Sequence, residues 1–166
     1  RSFFTKVRAF FFLMFKQYES VYWDSKCRLL KIQLARFLTK HRIDAVVVND
    51  PSPLPLIVSL IQDPAKIILD LHEYSPLEHE HSFIWRLLVQ NYVNYICKKY
   101  LQKASCVMTV CQSIADEYER VFSLEKVNVI MNAPAYSLDC QIVFPTENRI
   151  RMVHHGSALR QRKLER

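Results

Sequence analysis

The chain has 166 residues, of which 50% are hydrophobic, 12% aromatic and 23% charged. This composition supports one sizeable hydrophobic core and excludes a disordered tail, a collagen-like repeat and a disulfide-rich miniprotein. Gly156 is the single glycine. A complete Rossmann or P-loop nucleotide site is therefore excluded, because its phosphate loop needs several glycines within a few residues.

The formal net charge of +7 is unevenly distributed along the chain. Residues 1–42 carry ten Lys or Arg against two acids, residues 43–148 carry seven against thirteen, and residues 149–166 carry six against one. A nucleic-acid-binding domain usually keeps a basic face through its folded core, so the acidic middle argues against nucleic acid as a partner. The basic ends instead predict contact with a membrane surface or a phosphate ligand.

The five cysteines form no C-x-x-C pair. They are typical of small core residues in a reducing compartment, so we expect a cytoplasmic protein. The histidine-rich loop at residues 72–81 does not carry H-E-x-x-H, because Pro76 stands where the second histidine would be. The sequence therefore predicts no metal site.

Apolar residues recur at helical spacing over residues 2–18 and again over residues 19–41, which predicts two helices. Six phenylalanines and four basic residues fall within residues 1–16. Two interpretations of the first helix remain open: it packs against a sheet, or it lies in a membrane interface with Lys and Arg at its rim. Its unbroken apolar run is much shorter than the ~20 residues that a membrane span needs.

Four short apolar runs without alternation follow, as is typical of strands buried on both faces. They lie at residues 44–49, 66–71, 105–110 and 127–132. Helical patterns separate them at residues 54–62, 83–103 and 114–122. This alternation predicts an α/β fold with a Rossmann-like parallel sheet and helices on both faces. We expect Ser82 to cap the helix at 83–103, and Ser113 with Asp116 to form a capping box for the next helix.

Ligands of such sheets bind at the carboxyl ends of the strands. Polar residues stand at all four predicted ends, and we expect a ligand cleft there. The candidates that line it are Asn49, Asp50, His72, Glu73, Ser113 and Asn132.

Beyond residue 134 the pattern changes. We predict a first domain over residues 1–134, a linker over residues 135–148, and the start of a second domain at residues 149–166. The second domain would open with a strand at residues 150–156 that ends at the single glycine. We expect the chain to be a fragment that lacks the first strand of one domain and most of the other.

Taken together, the segments DAVVVNDPSPLPL, KIILDLHEYSP, ADEYERVF, VNVIMNAP and IRMVHHGSALRQRKLE resemble a family of glycosyltransferases. The family is family 4 of the retaining enzymes with the GT-B architecture of two facing Rossmann-like domains. The resemblance covers roughly residues 43–166 and implies the acceptor-side, N-terminal domain plus the start of the donor domain. It implies transfer of a sugar from a nucleotide-sugar donor to a glycan or lipid-linked acceptor, as in polysaccharide biosynthesis, with no cofactor and no metal.

The resemblance also implies roles for individual residues. His72 would face the cleft near the donor sugar, with Glu73 beside it, as the catalytic residues. The backbone at Gly156 and Ser157 would hold the donor diphosphate, and the cationic side chains of Arg160, Arg162 and Lys163 would share its neutralisation. Family members commonly read G-R-L-x-x-x-K-G, whereas this chain has serine at the arginine position. The nucleotide-binding E-x7-E segment does not occur after residue 156, so we expect the chain alone to be inactive.

Two other functions remain open. One is a nucleotide-sugar 2-epimerase of the same architecture, and the other is a non-catalytic doubly wound module that binds a partner through its basic aromatic helices. For the glycosyltransferase we expect a cytoplasmic protein that is peripheral at the membrane through residues 1–16, with no nucleic-acid partner.

Overall fold

Four short strands form one parallel sheet in the computed structural model, which describes residues 3–133. In chain order they are β1 (Val46–Asn49), β2 (Ile67–Leu71), β3 (Cys106–Thr109) and β4 (Asn128–Val129). The spatial order is also β1-β2-β3-β4, with every neighbouring pair parallel. The four predicted strands and the α/β fold with a Rossmann-like parallel sheet are confirmed.

Three helices precede β1, and three more lie in the connections between the strands. The helices are α1 (Phe3–Met14), α2 (Tyr18–Tyr22), α3 (Ser25–Lys40), α4 (Leu54–Val58), α5 (Gln90–Tyr100) and α6 (Gln112–Phe122). A π-helical turn, Trp85–Val89, runs directly into α5, and a 3₁₀ turn, Leu101–Lys103, follows it. Two further 3₁₀ turns, Pro64–Lys66 and Ser75–Leu77, flank β2.

The hydrophobic core lies against one face of the sheet. Ile67, Leu69 and Leu71 of β2 are fully buried there, together with Leu54 of α4 and Tyr118 of α6. Each such aliphatic side chain contributes about 1.5–3 kcal/mol relative to an exposed one. On the other face of the sheet the alternate residues are less covered: Val47 of β1 is exposed, and Ile68 and Asp70 of β2 are half-buried. Asp70 therefore stands on the more open face, where a polar side chain is tolerated.

The first predicted helix ends earlier than its pattern indicates. The chain leaves α1 through Lys16, which has a left-handed backbone (φ 56°). The N–H of Gln17 donates to the Phe12 carbonyl at 2.8 Å, and the N–H of Lys16 donates to the Leu13 carbonyl at 3.1 Å. This pair of bonds is the Schellman motif, in which glycine usually occupies the left-handed position. The predicted helix is therefore confirmed over Phe3–Met14, but its predicted end at residue 18 is wrong, because no glycine in the sequence indicates where it stops.

The second predicted helix is also divided. Asp24 separates α2 from α3, because its side chain accepts a hydrogen bond from the N–H of Cys27 at 2.8 Å and caps α3. An aspartate at this position stabilises a helix start by about 1 kcal/mol. The helix predicted over residues 19–41 is therefore two helices. The aspartate of the D-S-K-C segment is the residue that indicates where the second one begins.

The two predicted caps have different outcomes. Ser82 accepts a hydrogen bond from the N–H of Trp85 at 3.3 Å, so it caps the long helical segment as expected. The capping box of Ser113 with Asp116 is wrong, because α6 begins at Gln112 and Cys111 is its N-cap residue. Asp116 instead accepts a hydrogen bond from the Gln112 side chain at 2.7 Å.

Helix α1 contacts α2 and the turn Trp85–Val89. Phe10, Phe11 and Met14 of α1 are exposed, as is Phe15 directly after it. Leu29, Leu30 and Phe37 of α3 are also exposed. Within residues 3–133, no helix combines the length and the hydropathy needed to cross a membrane.

Candidate functional site

The carboxyl ends of β1 and β2 meet at one edge of the sheet and bring Asp50 close to His72. Asn49 of β1 lies opposite Asp70 of β2 in the parallel register. Asp50 and His72 follow these strands directly, so His72 lies at the edge where we expected it. This edge is where parallel α/β sheets bind their ligands.

Asp50 joins the two strand ends with both its backbone and its side chain. Its N–H donates to the Asp70 carbonyl at 2.8 Å, and its Oδ1 accepts from the N–H of His72 at 3.2 Å. Asp50 has a left-handed backbone (φ 63°), a conformation that aspartate adopts more readily than most residues. The turn after β1 thereby fixes the backbone at the start of the His72 loop.

Asp70 holds the imidazole ring itself. The Nε2 atom of His72 lies 3.1 Å from Oδ2 of Asp70. An ionised carboxylate has no proton to donate, so Nε2 carries the proton and donates it. The side chains of His72 and Asp70 are 55% and 27% exposed. Sequence reasoning missed this role of Asp70, although residues two apart in a strand point to the same face.

Buried hydroxyl groups support the loop from beneath. The Thr109 hydroxyl donates to the Leu71 carbonyl at 2.6 Å. The Tyr118 hydroxyl donates to the Glu73 carbonyl at 3.1 Å and accepts from the N–H of Ser75 at the same distance. Both side chains are buried, so water does not compete for these bonds. The backbone on either side of His72 is thus tied to β3 and α6.

The other predicted cleft residues are placed at the edge but are not joined to His72. Glu73 is anchored through its backbone, and its side chain is exposed, with no ion pair within residues 3–133. Asn49 and Asn132 are exposed. Ser113 lies in the first turn of α6, where its Oγ is 3.4 Å from Sγ of Cys111.

Cys111 is a thiol that sequence reasoning did not single out. The hydrogen bond with the Ser113 hydroxyl, aided by the N–H of Ile114, lowers the pKa of Cys111. A cysteine at the start of a helix commonly shows this effect. Its position after β3 places it at the same edge of the sheet as His72.

The predicted donor-binding residues Gly156, Ser157, Arg160, Arg162 and Lys163 lie outside the described residues, as do the predicted linker and the strand at residues 150–156. No cluster of three or more His, Cys, Asp or Glu side chains suited to a metal ion occurs in the part of the chain that the structure describes.

The arrangement at the edge is suited to binding a polar ligand through the imidazole. Nε2 is occupied by Asp70, and more than half of the side chain is exposed. In the neutral ring, Nδ1 is then a hydrogen-bond acceptor, and in the protonated ring it is a donor. His72 is therefore equipped to contact a ligand hydroxyl or a centre of developing charge.

The four-stranded parallel sheet and its helical connections define residues 3–133 as a Rossmann-like α/β domain. The model of glycosyltransferase family 4 matches residues 4–133, and the chain belongs to this family. The match includes all four strands, His72 and Asp70. No curated protein and no solved structure matches the chain.

Proposed function

We propose that this chain provides the acceptor-side domain of a retaining glycosyltransferase that moves a hexose from a nucleotide-sugar to a glycan or lipid-linked acceptor. The observation that carries the proposal is the imidazole of His72, held by Asp70 at the carboxyl edge of the sheet, inside the region that matches the family. In the proposed GT-B architecture, that edge faces the donor domain.

In this proposal each group at the edge has a role. His72 contacts the transferring sugar, Asp70 positions its ring, and Glu73 lies beside it as the second catalytic residue. The acceptor is contacted by the cleft residues, which are Asn49, Asp50, Ser113 and Asn132.

The donor diphosphate is proposed to bind at the Gly156–Ser157 backbone, with Arg160, Arg162 and Lys163 as the cations. Negative charge grows on the leaving nucleoside diphosphate as the glycosidic bond breaks, and fixed cations stabilise it without a metal ion. We therefore propose a nucleotide-sugar as substrate, no cofactor, and no transfer by the 166-residue chain alone.

The proposal includes a cytoplasmic location at a membrane surface, reached through residues 1–16. The exposed phenylalanines of α1 and the basic character of this segment support it. Such a surface would bring the cleft close to lipid-linked acceptors.

The direct test is an assay of the full-length protein with a panel of nucleotide-sugars and lipid-linked or free glycan acceptors. We expect His72→Ala to lower turnover by about 10²-fold or more, a usual result of removing a contact to the transition state. His79→Ala is the matched control, since His79 is a comparably exposed histidine of the same loop. Equal activity of the two variants, or a free 2-epimer as the product, would overturn the proposal.

A further inference from the structure

A second site is suggested by a cavity of about 490 Å³ that lies away from His72. Its volume falls within the roughly 300–1,000 Å³ of small-molecule sites. It opens between the two N-terminal helices, the start of α3 and the turn that leads into α4. The lining residues that bear on its chemistry are Arg8, Phe12, Tyr22, Lys26, Leu56 and Tyr92.

The interior of the cavity is apolar and uncharged. Leu56 is buried, and Phe12 is partly buried. Tyr22 accepts a hydrogen bond from the N–H of Leu56 at 3.0 Å, so its hydroxyl is occupied by the backbone. Burial raises the pKa of both tyrosine hydroxyls, Tyr22 and Tyr92, which keeps them neutral.

Charge is confined to the rim. Arg8 and Lys26 are exposed, and the Arg8 guanidinium lies 5.7 Å from the centre of the Phe12 ring. Neither cation forms an ion pair within residues 3–133. Asp24 is the one acid of the lining, and its carboxylate is already bonded to the N–H of Cys27. The rim therefore has a net positive charge.

An apolar surface continues outward from this cavity. Leu30 of α3 lines it and is 51% exposed, and its neighbour Leu29 is also exposed. A nucleotide or a free sugar phosphate has no long apolar chain with which to cover such a surface. A molecule with an acyl or isoprenoid chain would cover it and fill the interior.

Two residues of the cavity lining are also close in sequence to the edge of the sheet. Ser52 and Pro53 line it, and they follow Asp50, which is hydrogen-bonded to the backbone of His72. A ligand seated here would therefore be held beside the turn that fixes the His72 loop.

From these observations we propose that the cavity binds the apolar chain of an anionic amphiphile, a lipid phosphate, with Arg8 and Lys26 contacting its phosphate. The assignment of this lipid as the glycosyl acceptor rests on the proposed function, but the binding itself does not. A phosphate contacted by two cations gains charge-assisted hydrogen bonds, which are the stronger class of hydrogen bond.

The test is calorimetric titration of the 166-residue chain with dihexanoylphosphatidic acid, kept below its micelle concentration. Parallel titrations use inorganic phosphate and the zwitterionic dihexanoylphosphatidylcholine. We expect the phosphatidic acid to bind at least tenfold more tightly than either. The double variant Arg8→Gln/Lys26→Gln should weaken it by tenfold or more, whereas Lys103→Gln, an exposed lysine that is not in the lining, should not.

A steric variant tests the interior independently of charge. Ala9 lines the cavity, so Ala9→Trp should abolish binding while the circular dichroism spectrum stays native. If inorganic phosphate binds as tightly as phosphatidic acid, the apolar chain is not recognised and the ligand class is wrong. If phosphatidylcholine binds as tightly as phosphatidic acid, Arg8 and Lys26 do not have the proposed role. Undiminished binding to Ala9→Trp would overturn the cavity as the site.

The lipid-binding experiment and the transfer assay test the two proposals independently. Lipid bound in the cavity, together with an inactive full-length protein, would keep the site and reject the proposed function. Transfer without lipid binding would do the reverse.

Discussion

The Nε2 atom of His72 lies 3.1 Å from the Oδ2 atom of Asp70, two residues earlier in the chain. Both side chains emerge on the more open face of the sheet, and the strand fixes their relative position. The carboxylate is the less exposed partner, so the imidazole is held from its more buried side while more than half of its side chain stays exposed. This geometry makes Asp70 a positioning residue for the proposed chemistry.

Asp70→Asn should therefore lower turnover of the full-length protein by about tenfold or more, with a smaller change in KM. Asparagine replaces one carboxylate oxygen by an amide group, so the hydrogen bond that orients the His72 ring is weakened or lost. The decisive measurement is a double-variant cycle. On the His72→Ala background, Asp70→Asn should have little further effect, because the two residues act together. Additive losses would mean that Asp70 acts independently of His72.

Tyr118→Phe should destabilise the domain by about 1–3 kcal/mol, since it leaves the Ser75 N–H and the Glu73 carbonyl without their buried partner. Urea unfolding measures this change in the free energy of unfolding. Tyr74→Phe is the matched control, because its ring packs against Tyr118 but its hydroxyl makes no hydrogen bond within the described ranges. We expect the control to stay within about 0.5 kcal/mol of the natural protein, and equal losses would contradict the assigned role of the hydroxyl.

Most of the sheet could be predicted from the sequence because its strands are short apolar runs separated by helical periodicity. The position of His72 followed from the end of β2. The contact of His72 with Asp70 depends on a side-chain rotamer, and the support from Tyr118 spans 45 residues of chain. Neither contact produces a recognisable pattern in the local sequence. The end of α1 was missed for a different reason. Lys16, just beyond the helix, adopts the left-handed backbone conformation that glycine usually adopts.

Glu19 joins α2 to α5 through one carboxylate. Its Oε1 accepts hydrogen bonds from Lys99, Tyr95 and Tyr100 at 2.6, 2.7 and 3.0 Å. Burial alone would raise its pKa, but these hydrogen bonds outweigh burial and lower the pKa from 4.5 to about 2. Since the folded state favours the ionised form, the stabilisation is complete above pH 4.5 and is lost as the pH falls toward 2.

Glu19→Gln should accordingly reduce the free energy of unfolding at pH 7 by about 1 kcal/mol, a modest value because solvent screens this partly exposed group. The difference from the natural protein should shrink between pH 4.5 and pH 2. Urea unfolding at a series of pH values measures it. Glu125→Gln is the matched control, because it removes an exposed carboxylate that has no ion pair within residues 3–133. A constant difference for Glu19→Gln would show that its charge is not the stabilising feature.

Two of the thiols should differ sharply in reactivity. The hydrogen bond with Ser113 lowers the pKa of Cys111, whereas burial raises the pKa of Cys97 to about 12. Because the thiolate is the reactive form, iodoacetamide should modify Cys111 first and leave Cys97 intact in the folded protein. Peptide mass spectrometry after timed quenching gives the rates. Ser113→Ala should slow the reaction of Cys111 a few-fold, and denaturant should remove the protection of Cys97. Rapid modification of Cys97 without denaturant would contradict its burial.

The proposed membrane association through α1 depends on side chains that the fold leaves exposed. Phe11 and Phe15 are 48% and 66% exposed, so they are available for insertion without loss of core packing. The four basic residues within residues 1–16 would contribute about 1 kcal/mol each at an anionic surface. Roughly 4 kcal/mol corresponds to only millimolar affinity, so inserted aromatic side chains must supply the rest.

Sedimentation of the full-length protein with anionic vesicles should therefore show binding at low salt that weakens, but does not vanish, at high salt. Phe11→Ser/Phe15→Ser should abolish the salt-resistant part. Ile32→Ser/Phe37→Ser is the matched control, since it removes two exposed apolar side chains from α3 instead. If the α1 variant binds as tightly as this control, or if the natural protein does not bind at low salt, α1 is not the membrane-contacting element. Its exposed phenylalanines would then require a different partner surface.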